Sequence, residues 1–511
     1  MNVRVVICTM VVCLALAGPT RAYVVPPGAE EVLMAPGAVY DSLIISGTLI
    51  FARYPADPGT RTIIITNGDF VLASGGSISQ VFDYAGSSTD GSDGDDGTES
   101  SPAGGNGGAG TGYGTGGAGG LGATSGNPAN PYGGNGGAGG KGGMLGGAGG
   151  VGGSGGDGDT TVVGNGANAG SGGAGGMGGN GANAFTVTIC NTACDGNILV
   201  HSTAIGLQGG DAGDGGDGGD GGAGGDSDFD AAHLGGVGGT LTLTASNGIV
   251  RIPAFAAWLR GGAGGAGGAG GTGGDGGLHA TPPGGSASAG AGGNGGNAGN
   301  GGNGGTLNVT AGAIYTSDVR VTSMTLTTVA NGGASGAPGV PGFSGGIPPV
   351  PGTPGAPGSV GASGSLSLLP DLLAPTAPAG SPFAQPAPGA VLLFSVRTNL
   401  QFVTAGFGDN LTRSNCLRQT LEVVPTNAAN GVAFGAPLVR MRNTPANALT
   451  NFVPQQAWTN RVLCFRFLTY DAGDNVRTSV YPNHVFSVIP EPCAVVLWFG
   501  LMAWRRRTAK T

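Results

Sequence analysis

The chain has 511 residues and a formal net charge of −9; 10% of its residues are charged, 115 are glycine and 32 are proline. That length allows two or more domains, yet so much glycine and proline confines core-forming residues to a minority of segments. The acidic balance, with no basic patch interleaved with aromatics, argues against nucleic acid as a partner.

Residues 1–22 read MNVRVVICTMVVCLALAGPTRA, with Arg4 ahead of an apolar run from Val5 to Ala17 and the small residues Thr20 and Ala22 framing a cleavage site. This is the layout of a secretory signal peptide, with the mature chain starting near Tyr23. From 23 to 331 a phrase recurs: GTLIFA at 47, AFTVTIC at 184, GTLTLTASNGI at 239 and GTLNVTAGAI at 305. Each alternates apolar with Thr or small residues at period two, which predicts strands. Units that cannot bury a face alone stack into a shared core, so the expected fold is all-β, a solenoid resembling a right-handed parallel β-helix. An irregular β-sandwich is its rival.

Glycine blocks near 104–182, 209–238 and 261–304 separate these units and keep a period of three, as in GGAGGAGGAGGTGGDGGL from 261 to 278. Asn135, Ala138, Lys141 and Met144 share one phase in the first block, Asp211, Asp214, Asp217 and Asp220 in the second, and Asn294, Asn297, Asn300 and Asn303 in the third. A period of three belongs to an extended left-handed helix without internal hydrogen bonds, in which every third residue falls in line. Two bare faces let such helices approach closely and pair N–H with C=O as a polyglycine-II-like bundle. The alternative is disorder, because glycine loses the most entropy on ordering and the blocks carry no hydrophobic face. The G-G-x triplets resemble PGRS-type repeats, without the helical N-terminal domain of those proteins.

Residues 332–390, with GAPGVPGFSGG, PGTPGAPGSVGASG and IPPVP, read as a semi-rigid Pro/Gly-rich linker. Residues 391–488 have ordinary composition, strand-like runs such as VLLFSV, QTLEVV and RVLCFRFLTY, and turn signals between Asp471 and Asn475. They predict an immunoglobulin- or fibronectin-III-like β-sandwich, a module that acts as a spacer or adhesive unit. Cys416 and Cys464 make a candidate disulfide there, in keeping with an oxidising compartment, while Cys190 and Cys194 suit a local disulfide or two free thiols.

Catalytic chemistry finds little support. Polysaccharide-active β-helices need clustered acids with Arg or Lys, whereas Asp69, Asp83, Arg251, Arg260, Asp318 and Arg320 are scattered. His201, His233, His279 and His484 form no motif. The Asp rows, and Asp93, Asp95, Asp96 and Glu99, spread their carboxylates too widely for six to eight converging oxygens, so no metal site is expected. No catalytic residue and no cofactor are assigned.

The last residues, 489 to 507, read IPEPCAVVLWFGLMAWRRR. The prolines stop a helix from extending backwards, the stretch from Cys493 to Trp504 can enter a bilayer as a short helix, and three arginines stay on the cytoplasmic side. Twelve apolar residues fall short of the roughly 20 a full span needs, which suits a transient anchor. This order resembles the PEP-CTERM sorting signal. The resemblance implies that an exosortase-type membrane protease recognises Pro490, Glu491 and Pro492. It implies that Val495, Val496, Leu497, Trp498, Phe499, Leu501, Met502 and Trp504 form the anchor, that Arg505, Arg506 and Arg507 form the cytoplasmic cluster, and that the tail is then removed. The expectation is an exported cell-surface or matrix protein, structural or adhesive, with exopolysaccharide or other matrix proteins as partners. A polysaccharide-active enzyme, or a cation- or ice-binding repetitive surface, are the alternatives.

Overall fold

The computed structural model describes residues 22–52, 59–82, 88–98, 101–112, 114–123, 135–139, 147–155, 171–220, 234–253, 259–271, 293–316, 318–322, 352–378, 391–394, 400–403, 406–426, 437–445, 449–452, 461–480 and 486–490. Among these the protein is β-structure and extended chain, with one short 3-10 turn at Ser414–Cys416. The first part holds β1 (Ala22–Val25), β2 (Glu30–Leu33), β3 (Gly37–Tyr40), β4 (Ser42–Ile45), β5 (Thr48–Ala52), β6 (Thr60–Ile65), β7 (Phe70–Leu72) and β8 (Ser77–Val81). After the first glycine block come β9 (Thr186–Asn191), β10 (Ile198–Val200), β11 (Thr240–Ile252), β12 (Thr306–Thr316), β13 (Val319–Arg320) and β14 (Ser365–Pro370).

These strands stack in parallel, each on the equivalent strand of the previous unit, into a solenoid-like body. One stack runs β3, β6, β9, β11, β12, β14, and its register keeps like with like. Thr60, Thr186, Thr240, Thr306 and Ser365 align, as do Ile63, Ile189, Leu243, Val309 and Leu368. A second stack runs β1, β4, β7, β10 and the later half of β11, aligning Leu43, Phe70, Ile198 and Val250. A third, β2, β5, β8, aligns Leu49 with Ile78, which bridges on to Ile205. The period-two pattern explains this arrangement, because alternate residues turn inward and one core runs along the stack. Each fully buried aliphatic or aromatic side chain there is worth about 1.5–3 kcal/mol. Arg61 is also buried in this core, donating to Thr60 O at 2.9 Å and to Ala52 O, with its guanidinium over the Phe185 ring.

The expected linker, 332–390, requires correction. Within it, β14 pairs β12 in parallel over six residues, so the stacked body continues to Pro370 instead of ending at 331. The SLSLLP run carries the same alternation as the earlier phrases, and its Leu366 and Leu368 close the end of the core.

The remaining strands are β15 (Val391–Phe394), β16 (Leu400–Val403), β17 (Arg418–Pro425), β18 (Val439–Pro445), β19 (Leu449–Phe452), β20 (Arg461–Tyr470), β21 (Val476–Val480) and β22 (Phe486–Pro490). They form a six-stranded, mostly antiparallel sheet in the order β15, β22, β20, β17, β18, with β21 on β20, and a separate antiparallel pair, β16 and β19. The region expected as a sandwich is thus β-structure in two sheets. The expected signal peptide up to Arg21 and the tail beyond Pro490, including Glu491, Pro492, the expected anchor at 493–504 and Arg505 to Arg507, lie outside the described residues. Among the described residues no helix is long and apolar enough to cross a membrane.

Candidate functional site

The first two glycine blocks follow the third stack, at β8 and Ile205, and the legs return into the stack that begins at Thr186, Thr240, Thr306 and Ser365. The described legs lie beside one another. Segment 209–220 is paired on several sides, with 147–155 among its neighbours. Gly210, Gly213, Gly216 and Gly219 donate to the carbonyls of Ala182, Gly179, Gly176 and Gly173, which run antiparallel to it. Gly209, Ala212, Gly215 and Gly218 donate to Arg260, Ala263, Ala266 and Ala269, which run parallel. The pattern continues from 262–271 to 293–302, and from 295–304 to 353–362, with N to O distances of 2.8–2.9 Å. The backbone groups that no side chain could shield are paired with each other.

Glycine is required where the legs meet. A Cβ placed on Gly216 would collide with Gly150 O, one on Gly262 with Gly210 O, and one on Gly302 with Gly236 O. Glycine stands at the positions that face a neighbouring leg. Segments 88–98 and 352–364 carry one glycine in three, and Gly91, Gly94, Gly97, Gly352, Gly355, Gly358 and Gly361 all face a neighbouring carbonyl while the other two positions are exposed. These are edge legs. The collagen-like PGTPGAPGSVGASG is thus the last leg of the bundle, where one face needs glycine and Pro, Ala or Val tolerate solvent on the others.

The third residue of each triplet has a second task. On legs 115–121, 263–269 and 353–362 its N–H is taken by Asp or Asn of the adjacent leg. Oδ1 of Asp214 accepts from Ala266 N at 2.7 Å, and Asp211 and Asp217 do the same for Ala263 and Ala269. Asn294, Asn297, Asn300 and Asn303 accept from Thr353, Ala356, Ser359 and Ala362. Asp90, Asp93 and Asp96 serve Thr115, Ala118 and Leu121 on the opposite edge. These Asp and Asn rows are therefore structural acceptors between legs, a role the sequence reading missed; the recurrence of Asn and Asp in one phase was its signal.

A second cluster sits where the stacked body meets the C-terminal strands. β11 bulges between Ala245 and Ile249, and the bulge carries the buried Asn247, whose Oδ1 accepts from Arg413 N at 2.9 Å. Beside it Cys194 is bonded to Cys416, with Cα atoms 5.0 Å apart. This corrects the pairing of Cys416 with Cys464. Cys464 opposes Val424 near one end of the β17–β20 ladder, while Cys416 precedes Arg418, which opposes Tyr470 at the other end. At about 3.3 Å per residue the two cysteines are too far apart to bridge. Cys464 is a buried thiol and Cys190 a half-buried one, both raised by burial. Arg418 reaches Asp474 at 3.3 Å and Asp195 at 3.6 Å, two aspartates with left-handed backbone, a conformation Asp tolerates.

At the same junction Asp371, just after β14, Asp409, and Asp471, just after β20, place carboxylate oxygens within 4.8 Å of one another. Asp371 and Asp471 are buried and Asp409 is half-buried. Asp409 Oδ2 accepts from Leu411 N and Thr412 N, and Asp471 from Asn475 N and Nδ2. Asp371 Oδ1 accepts from Leu373 N at 3.1 Å, whereas its buried Oδ2 has no partner. Burial, and then the neighbouring Asp409 carboxyl, push the Asp371 carboxyl up to about 7; burial also raises Asp471, against the donors of Asn475. Asp371 was hidden in the presumed linker and Asp471 in a turn, so their convergence is tertiary.

The other residues weighed from sequence stay apart. Arg251 pairs with Asp318 at 2.5 Å, Asp69 accepts from Asn197 N, Arg320 donates to the Asp371 carbonyl, and the exposed His201 lies beside β7. Asp83, Glu99, His233, His279 and His484 lie outside the described residues.

No family model matches the chain, and no curated protein matches it. Among solved structures, an antifreeze protein from the springtail Granisotoma rainieri, described as a nine polyproline type II helical bundle, aligns with 23% identity over 53% of this chain and 94% of its own. The TM-score is 0.13, too low to bear on fold or function.

Proposed function

We propose that this chain is an exported cell-surface or extracellular-matrix protein with a structural or adhesive role. Its strands form a parallel β-helix, its glycine legs form a polyglycine-II-like slab, and its C-terminal strands form a spacer sandwich. The observation that carries this reading is the lateral pairing of the legs, in which glycine faces neighbours and every third side chain lines up along the outside. Such a surface presents one chemical group at a repeat of about 9 Å, which suits multivalent contact with a repetitive partner such as exopolysaccharide or another matrix protein. Scattered charges, several of them already partnered, favour this over catalysis. The Cys194–Cys416 disulfide fits an oxidising compartment, in line with the signal peptide.

Sorting through the PEP-CTERM-like tail, by an exosortase-type protease acting on Pro490, Glu491 and Pro492, belongs to the same proposal. Amide hydrogen exchange on the purified mature chain tests the scaffold. Slow exchange at Gly210, Gly213, Gly216 and Gly219 is expected, and exchange at the rate of an unstructured peptide would overturn it. Fractionation of cells carrying Glu491→Ala tests the sorting: retention in the membrane is expected, and unchanged release would refute the role of the motif.

A further inference from the structure

We propose that Asp371, Asp409 and Asp471 bind one Ca2+ ion that fastens the end of the stacked β-body to the C-terminal strands. The three carboxylates come from three distant segments, so nothing local forces them together, and among the described residues none forms an ion pair with Arg or Lys. The Arg320 guanidinium is hydrogen-bonded to the Asp371 backbone carbonyl at 3.2 Å.

The second observation is independent of the acidity. Asp371 is 0% exposed, yet its Oδ2 has no hydrogen-bond partner. A buried carboxylate oxygen without a donor is a costly arrangement, and a cation among the three groups relieves it. The Asn410 amide lies at the same point. One end of it is 3.1 Å from Asp371 Oδ1 and 3.2 Å from Asp409 Oδ1. With its NH2 inward it bridges two carboxylates; with its carbonyl inward it adds a neutral oxygen at a spacing that suits ligands of one ion.

An all-oxygen set of carboxylates and an amide selects a hard cation. Burial of two of the three acids favours Ca2+, which accepts six to eight oxygens in irregular geometry, over Mg2+, which sheds water reluctantly and demands an octahedron. The half-buried Asp409 leaves a side on which water completes the shell. The neighbouring Asn475 holds Asp471 through Nδ2 and the Asp371 carbonyl through the same nitrogen, both at 2.9 Å, so the frame of the site spans both parts of the molecule. The inference stands apart from the scaffold reading, since it requires neither ordered glycine legs nor export.

The test is calorimetric titration of CaCl2 into the chelator-treated mature chain. One saturable ion per chain is expected, with at least tenfold weaker binding in Asp371→Asn and in Asp471→Asn, and unchanged stoichiometry in Asp214→Asn. No saturable uptake, or uptake indifferent to Asp371→Asn, would overturn the proposal, as would Mg2+ competing at equal concentration. Should either variant fail to fold, hydrogen exchange on the wild-type chain decides. Ca2+ is expected to slow exchange at Leu373, Leu411, Thr412 and Asn475, and no change at these amides refutes the site.

Discussion

The stacked strands and the glycine legs are successive parts of the same coils, yet they hold together in opposite ways. In the strands the side chains face inward: Leu241, Leu243, Leu307 and Val309 are buried, and the backbone ladder connects one coil to the next. In the legs the backbone faces inward and the side chains face out. The apolar residue that fills space in the first region corresponds to the missing Cβ in the second. Removing atoms therefore damages the strands, and adding atoms damages the legs.

The largest expected effect falls on the strand side. Leu243→Ala removes a fully buried side chain in the middle of a stack and should cost about 2–5 kcal/mol in chemical denaturation. A cost below 1 kcal/mol would mean that the strands, too, rely mainly on backbone pairing. Next comes the tie between the two parts: Cys416→Ser opens a bond between residues 222 apart and should cost about 2–4 kcal/mol, with faster exchange first at Arg413 and Asn247. Loss confined to the C-terminal strands would show that the stacked body is stable without it.

On the glycine side, Gly216→Val drives a side chain into the Gly150 carbonyl and should cost about 1–3 kcal/mol. Ala356→Val, on an exposed position of the edge leg, should stay within about 0.5 kcal/mol. Exchange protection in 209–220 and 353–362 distinguishes the two, and equal effects would erase the contrast between interior and edge. The smallest change is Asp214→Ala, which takes one acceptor from Ala266 N at an exposed position. A loss of roughly 0.5 kcal/mol is expected, visible as faster exchange at that amide alone.

Much of this contrast can be read in the residues. The phrases GTLTLTASNGI and GTLNVTAGAI announce β11 and β12, and the triplet phase announces the legs. The linker was misjudged because one glycine in three among prolines reads as a semi-rigid spacer, although at 352–364 it marks a leg with one neighbour. The bulge at Asn247, the disulfide from Cys194 to Cys416 and the convergence of Asp371, Asp409 and Asp471 were not legible. Each depends on which loop meets which, and no local pattern carries that information.

By itself, then, the sequence determined the local states: period two makes alternating faces, and period three with paired glycines makes a chain that can bond only to its neighbours. Tertiary structure decided how those states are joined. Leg order, the two edges and the junction follow from parallel stacking, which sets each coil on the previous one and brings residues separated by hundreds of positions within bonding distance.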